Sequence, residues 1–336
     1  MRDRATIKSI AQDLGISHMT VSRALSDHPN VREETRKAVL EHARLVGYVK
    51  SAAASAMRGD STRIIGLLLP TITNEFYAHF AAALAEECRL TSHQLLIHLT
   101  HDVLEQEVFA LKQLHEHQAI GIVMVPAPAT EPAPLSQNIS RIVQLIRHRE
   151  IGRTAAFVGL DDSAAITRAV EQLVEHGHRQ IAYIGGGPDL STGRSRNAAF
   201  LKGLENKGLP RSAGMLFHDK PSLQLGRDSM ARIIDSPAIT AVICGGFEIS
   251  NGAVSAYMQA TEARRKSITV VGYGDPAYYS WAAGGISTIN PPVEMLATRA
   301  FELITGDGMN QPDKLTSIFA TDLLLRGQLA LVPDPL

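Results

Sequence analysis

The sequence predicts a chain in two parts, a small all-α headpiece followed by a larger α/β body. Residues 5–48 carry apolar positions at helical spacing, interrupted at Gly15. From Arg63 onward, short apolar runs of strand length alternate with amphipathic helical stretches. Alternation at that rate packs as parallel sheets covered by helices on both faces. Charge follows the same division. Residues 1–60 hold ten Lys/Arg against seven Asp/Glu and the remainder 23 against 27, within a net charge of −1. A mildly basic head on an acidic body suits a partner that carries phosphates at one end only.

Three helices are expected in the headpiece. In the first, Ile7, Ile10, Ala11 and Leu14 share one face behind a Thr6 cap. Gly15 allows a tight turn and Ile16 plugs it. Ser17 caps the second helix, whose inner face is Val21, Ala24 and Leu25, leaving His18, Met19, Ser22 and Arg23 outward. The third, about Glu33 to Val46, is expected to turn Ala38, Val39, His42 and Val46 inward. Helix, glycine turn and helix make a helix-turn-helix, although a plain three-helix bundle with a polar face has the same periodicity. The outward set fits base edges in a major groove: Arg23 for guanine, His18 as donor or acceptor, Met19 for a thymine methyl. Thr20 and Ser22 suit phosphate oxygens.

The residues TIKSIAQDLGIS and MTVSRALS, then EETR and LVGY, resemble the DNA-binding headpiece of the LacI/GalR repressor family. The resemblance implies a homodimer whose two headpieces read a pseudo-palindromic, double-stranded operator under the control of a small-molecule effector. It places base reading on His18, Met19 and Arg23, and phosphate contacts on Thr6, Ser17, Thr20, Ser22 and Tyr48. It also places a hinge helix at 49–61, where Met57 takes the position of a minor-groove wedge, usually leucine. Without the resemblance, the alanine-rich Ser51 to Arg58 reads equally as a flexible linker. Lys50 and Ser51 replace a usual Pro-Asn, and Ser55 replaces a common basic residue.

Expected strands in the body are Ile64–Leu69, Gln94–Thr100, Gly121–Val125, Arg141–Ile146, Ala155–Leu160, Gln180–Gly185, Ala241–Cys244, Ser267–Gly272 and Gly285–Ile289. Helices are expected at Phe76–Leu90, Glu105–His117, Ala164–His176, Arg194–Lys207, Leu225–Asp235 and Ile249–Ala260. So many strands call for two lobes. The resemblance implies two flavodoxin-like lobes of the periplasmic-binding-protein kind: an N-lobe of about 62–160 and 291–320, and a C-lobe of about 161–290 and 321–336. Ligands in such folds sit at the carboxyl ends of strands, here between the lobes.

The resemblance suggests the cleft residues. Tyr77 falls at an effector-contacting position, where its ring can stack on a ligand or simply pack a helix. Arg147 stands where the family commonly has an aspartate, and Asp161 and Asp162 follow the next strand. Arg196, with Arg194 nearby, matches the arginine that grips the effector. Gly246-Phe247 replaces a common Asn-Asp. Gly274 replaces an aspartate, with Asp275 one place on. An arginine gained where acids and amides are lost points to an anionic effector, a sugar acid or sugar phosphate, over a neutral sugar.

Other classes are disfavoured. There is no Gly-x-Ser-x-Gly elbow and no His-Glu-x-x-His helix, so no enzyme is expected. His98 with His101, and His115 with His117, lack a third ligand at a motif spacing, so neither metal nor cofactor is expected. Two cysteines, no apolar leader and no bilayer-length run suggest a bacterial cytoplasmic protein, at the nucleoid when DNA-bound, rather than a transport-type binding protein. The last residues carry no heptad run that would join dimers into tetramers.

Overall fold

A computed structural model of the chain describes residues 5–26, 28–48, 62–128, 141–151, 154–306 and 315–330. The hinge segment with Lys50, Ser51, Ser55 and Met57, and most of the proline-rich stretch Pro126 to Pro134, lie outside the described residues. The chain forms two units, Met1–Thr62 and Arg63–Leu336.

In the first unit, α1 (Ile7–Leu14), α2 (His18–Leu25) and α3 (Glu33–Leu45) enclose a core of Ile10, Ala11, Val21, Ala24, Val31, Val39 and Ala43. Thr6 and Ser9 cap α1 reciprocally: Ser9 N–H donates to Thr6 Oγ1 at 3.1 Å and Thr6 N–H to Ser9 Oγ at 2.9 Å. Gly15, at φ +63°, turns the chain in the left-handed region that a side chain resists, and Ser17 Oγ then accepts from Thr20 N–H at 3.0 Å. The inner face of α3 differs from expectation. Val39 and Ala43 are buried, whereas Ala38 and Val46 are exposed. Ala38 lies a full residue step around the helix from Val39, and Val46 is already the C-cap. His42 is half-buried and bonds the Asp13 carboxylate at 2.9 Å, tying α3 to α1.

The second unit holds two six-stranded sheets among the described residues. In the first, β1 (Ile64–Leu69), β2 (Gln94–Leu99), β3 (Gly121–Met124), β4 (Ile142–Leu145), β5 (Ala156–Asp161) and β11 (Thr316–Ala320) run parallel in the order β2-β1-β3-β4-β5-β11. The second contains β6 (Ile181–Gly186), β7 (Gly214–Asp219), β8 (Ala241–Cys244), β9 (Thr269–Tyr273), β10 (Ser287–Asn290) and β12 (Asp322–Leu324) in the order β7-β6-β8-β9-β10-β12, with only β12 antiparallel. The chain leaves the first sheet after Asp161, returns to it after β10, and changes sheet once more at Thr321. Helices α4 (Glu75–Leu90), α5 (Leu104–Glu116), α6 (Ser163–Glu175), α7 (Ser191–Asn206), α8 (Leu223–Asp235), α9 (Phe247–Gln259), α10 (Glu262–Lys266) and α11 (Val293–Thr305) complete the element order with short 3-10 turns.

Strands β7, β11 and β12 and helices α10 and α11 were absent from the sequence expectation. The three strands lie at or next to sheet edges and lack the continuous apolar run of a central strand: β7 buries only Phe217. Helix α11 did carry a signal, since Val293, Leu296, Ala297, Ala300, Phe301 and Ile304 repeat at helical spacing and are all buried. In each sheet the strand order reverses between the first and third strand of its βα series, the switch point at whose carboxyl side a crevice opens. Both crevices belong to one cleft.

Candidate effector cleft and DNA-facing helix

A cavity of about 260 Å³ lies between the lobes. Its walls come from the carboxyl ends of β1, β2, β4 and β5 on one side and of β6, β7, β8 and β9 on the other. The floor is aromatic. Phe76 is the second residue of α4 and Phe247 the first of α9, and their rings meet across the lobes with centroids 5.9 Å apart. Tyr77 stands edge-on to Phe76 at 5.5 Å, and Tyr273 edge-on to Phe247 at 5.8 Å. One apolar cluster thereby runs through both lobes.

Arg196 is buried at the base of the cavity, one turn into α7. Its Nε donates to Asp162 Oδ2 at 2.6 Å, Nη1 to the Gly245 carbonyl at 2.9 Å, and Nη2 to the Tyr273 hydroxyl at 2.5 Å. The Tyr273 hydroxyl in turn donates to Asp162 Oδ1 at 2.9 Å. Burial pushes the Tyr273 phenol well above its ordinary range, so it is a neutral donor. On the opposite wall Arg147 Nη1 donates to Asp102 Oδ1 at 2.5 Å, with both side chains nearly buried. Burial works against the Arg147 charge, but Tyr77 and Asp102 outweigh it and hold the guanidinium protonated. Glu248, half-buried at the start of α9, has its carboxyl raised by burial and then by Asp102.

This pair sits on strained backbone. Ile146, His101 and Asp102 all line the cavity at positive φ, +52°, +52° and +58°. Arg147 N–H reaches back to the Leu145 carbonyl at 2.5 Å around Ile146, a conformation that a β-branched residue adopts at a cost of about 1–3 kcal/mol. A second buried pair steadies the same loop. Arg149 Nη2 donates to Glu107, whose other oxygen accepts from Ala127 N–H at 2.7 Å, while Gln144 clasps the Arg149 backbone through two bonds of 2.8 Å.

Of the residues expected in the cleft, Tyr77, Arg147, Arg196 and Phe247 line the cavity; Asp161, Arg194 and Asp275 do not. Asp161 ends β5 facing outward and accepts from Ser163 N–H at 2.9 Å, while its neighbour Asp162 turns inward to Arg196. Arg194, two residues from Arg196 and so on another face of α7, is exposed and bonds the Pro188 carbonyl at 2.6 Å. Asp275 makes a two-pronged pair with Arg326 at 2.6 and 2.9 Å. Asp102, Glu248, Lys220, Phe76 and Tyr273 join the wall unexpectedly. Asp102, Glu248, Phe76 and Tyr273 follow expected strands, which was their one signal, whereas Lys220 follows β7, a strand the sequence did not announce.

In the headpiece, His18, Met19 and Arg23 are exposed on α2, and Thr6 and Ser17 are exposed at helix starts. Thr20, Ser22 and Tyr48 are half-buried, Ser22 against the expectation that it faces fully outward. Tyr48 packs on the core, and its N–H closes α3 onto the Ala43 carbonyl at 2.8 Å.

Residues 6–51 match the family model of bacterial regulatory proteins of the lacI family, and residues 170–321 match that of a periplasmic binding protein-like domain. The chain is 28% identical over 343 residues to the HTH-type transcriptional regulator AglR of Rhizobium meliloti (strain 1021), covering 98% of this chain and 95% of that protein. It is 26% identical over 313 residues to the HTH-type transcriptional repressor PurR of Erwinia tasmaniensis, covering 89% of each. A solved lac repressor dimer, bound to operator and the anti-inducer ONPF, shares the fold with a TM-score of 0.79 at 19% identity, over 96% of this chain and 98% of that one. The relatives are transcriptional regulators and not enzymes. With a LacI-type helix-turn-helix at its amino end and a periplasmic-binding-protein-like domain after it, the chain belongs to the LacI/GalR family of DNA-binding transcriptional regulators.

Proposed function

We propose that the protein is a repressor, acting as a homodimer whose two headpieces read a palindromic operator, and that a small molecule bound in the cleft governs its hold on DNA. The observation that carries this reading is the exposed face of α2, where His18, Met19 and Arg23 stand free above a capped frame. Arg23 supplies a two-pronged contact to guanine, Met19 meets a thymine methyl, and the helix starts at Thr6 and Ser17 meet phosphates. Two relatives support the repressor assignment, one named a repressor and one solved on its operator. No helix among the described residues is long and apolar enough to cross a membrane. Work on an operator belongs in the bacterial cytoplasm, at the nucleoid.

Control follows from population shift: an effector that binds one cleft arrangement better than another moves the lobes toward it. The Phe76–Phe247 contact joins the lobes across the floor, so it reports that equilibrium. The acidic effector expected from the sequence relied on free arginines. Arg147 and Arg196 are each neutralised by a carboxylate, so neither offers a spare charge to an anion.

Selection of bound duplexes from a random pool by the purified protein tests the regulator reading. A palindrome with half-sites about one helical turn apart is expected. No enrichment, with or without a pool of small molecules, overturns it. Met57→Ala is expected to weaken operator binding with the fold intact, and unchanged affinity removes the wedge.

A further inference from the structure

Two departures from the family pattern prove to be one physical unit. Gly274 lies at φ +81°, and a Cβ there would fall 2.0 Å from Cε1 of Phe247 and 2.2 Å from its Cζ. The side of the Phe247 ring that carries Cδ1, Cε1 and Cζ therefore occupies the space a side chain at 274 needs, and an aspartate there forces the ring to move. Where the resemblance implies a carboxylate at 247 and another at 274 for a hydroxylated ligand, the chain offers a ring and bare backbone.

The floor beside it has the same character. Phe76, Tyr77, Phe247 and Tyr273 form a continuous aromatic floor, joined by Ile146 and Leu160. The charged groups are largely committed to one another, while Thr71, Asn74, His101 and Thr192 bring neutral polar groups to the wall. Arg196, Asp162 and Tyr273 close a triangle of hydrogen bonds, and Arg147 is held by Asp102. Among the described residues, Glu248 and Lys220 are the charged groups of the wall that form no ion pair. A polyol buried here would lose water from every hydroxyl, and those turned to the aromatic floor would find no partner there, each unmatched group costing about 1–3 kcal/mol. A ring loses little water and gains stacking contact. A cavity of about 260 Å³ holds a molecule of one or two rings.

We propose that the effector is a planar, ring-bearing molecule with a hydrogen-bond donor for the Glu248 carboxyl, and that Phe247 over Gly274 selects it against sugars. This deepens the reading of the cleft as the effector site and rests on it. Calorimetry on the full chain tests it with two panels: indole, phenol and adenine against galactose, glucuronic acid and a hexose phosphate. Ring compounds are expected to bind and sugars not to. Phe247→Leu, which keeps apolar bulk but removes the ring, is expected to weaken ring binding about tenfold. Gly274→Asp is expected to abolish it by displacing the ring.

Binding of the sugars alone, silence of both panels, or ring binding unaffected by Phe247→Leu each overturns the proposal. The operator selection is scored separately. A protein that enriches an operator yet ignores rings breaks only the effector class. One that binds rings but no operator breaks only the regulator reading.

Discussion

In the headpiece, the side chains proposed to meet DNA are exposed above their own core; in the cleft, those proposed to meet a ligand are part of the core. His18, Met19 and Arg23 are exposed on a helix whose other face supplies the core. Arg196, Asp162 and Tyr273 are buried, and one hydrogen-bonded triangle holds the ends of β5, β8 and β9 together. Recognition and stability are therefore separable in the first region and fused in the second. A surface reader can change specificity without risking its frame, whereas a cleft built of paired charges can change specificity only where it is apolar, as at Phe247.

The largest effect should come from breaking the fused region. Asp162→Ala leaves the buried Arg196 guanidinium without its counter-charge, and loss of one partner of a buried pair costs about 3–5 kcal/mol. Urea unfolding of the body should show this, and a loss under about 1 kcal/mol would mean that the triangle is not structural. Arg23→Ala tests the separable region. Operator affinity should fall by about 1–3 kcal/mol, with relaxed preference at one base pair and an unchanged unfolding midpoint. A shifted midpoint would make Arg23 part of the frame.

Titration gives a smaller effect, confined to the body. Burial is the main cause that pushes the imidazoles of His93, His98 and His178 below the ordinary 6.5. The fold favours their neutral form, so the unfolded chain takes up protons first as pH falls. Their contribution is complete above 6.5 and is lost as pH drops through it toward the folded values. Glu248, raised by burial, works in the opposite sense, because the fold holds its proton more tightly. The unfolding midpoint should drop between about pH 7.5 and about pH 5.5, less steeply in His178→Gln. A flat profile would remove the imidazole account.

The smallest effect is expected at Tyr183. Its hydroxyl is buried without a hydrogen-bond partner among the described residues, and a Cβ at Gly245 would fall 2.2 Å from it. Tyr183→Phe deletes an unsatisfied group, so stability should hold or rise by up to about 1 kcal/mol. A clear loss would show that the hydroxyl is bonded.

Legibility in the sequence divides along the same line. The headpiece could be read because its determinants are local: Thr6 caps a helix whose apolar face begins one residue later, and Gly15 turns where Ile16 must plug. The central strands could be read because burial on both faces leaves a continuous apolar run, as in Ile64–Leu69. Edge strands such as β7 could not, since one side of them meets water.

The cleft was only half legible. Strand ends and the family resemblance together located Tyr77, Arg147, Arg196 and Phe247 in sequence, but could not say that Asp162 and not Asp161 turns inward, because successive residues leaving a strand point to opposite sides. Nor could they show that Asp102, 45 residues before Arg147, would neutralise it. Periodicity and capping act over a few residues, and they were enough to place the headpiece helices, the central strands and the carboxyl ends of two sheets. Tertiary structure alone decided which charges are spent on one another and which ring lies over Gly274. Those contacts join residues tens of positions apart, and their energies depend on burial that no local pattern records.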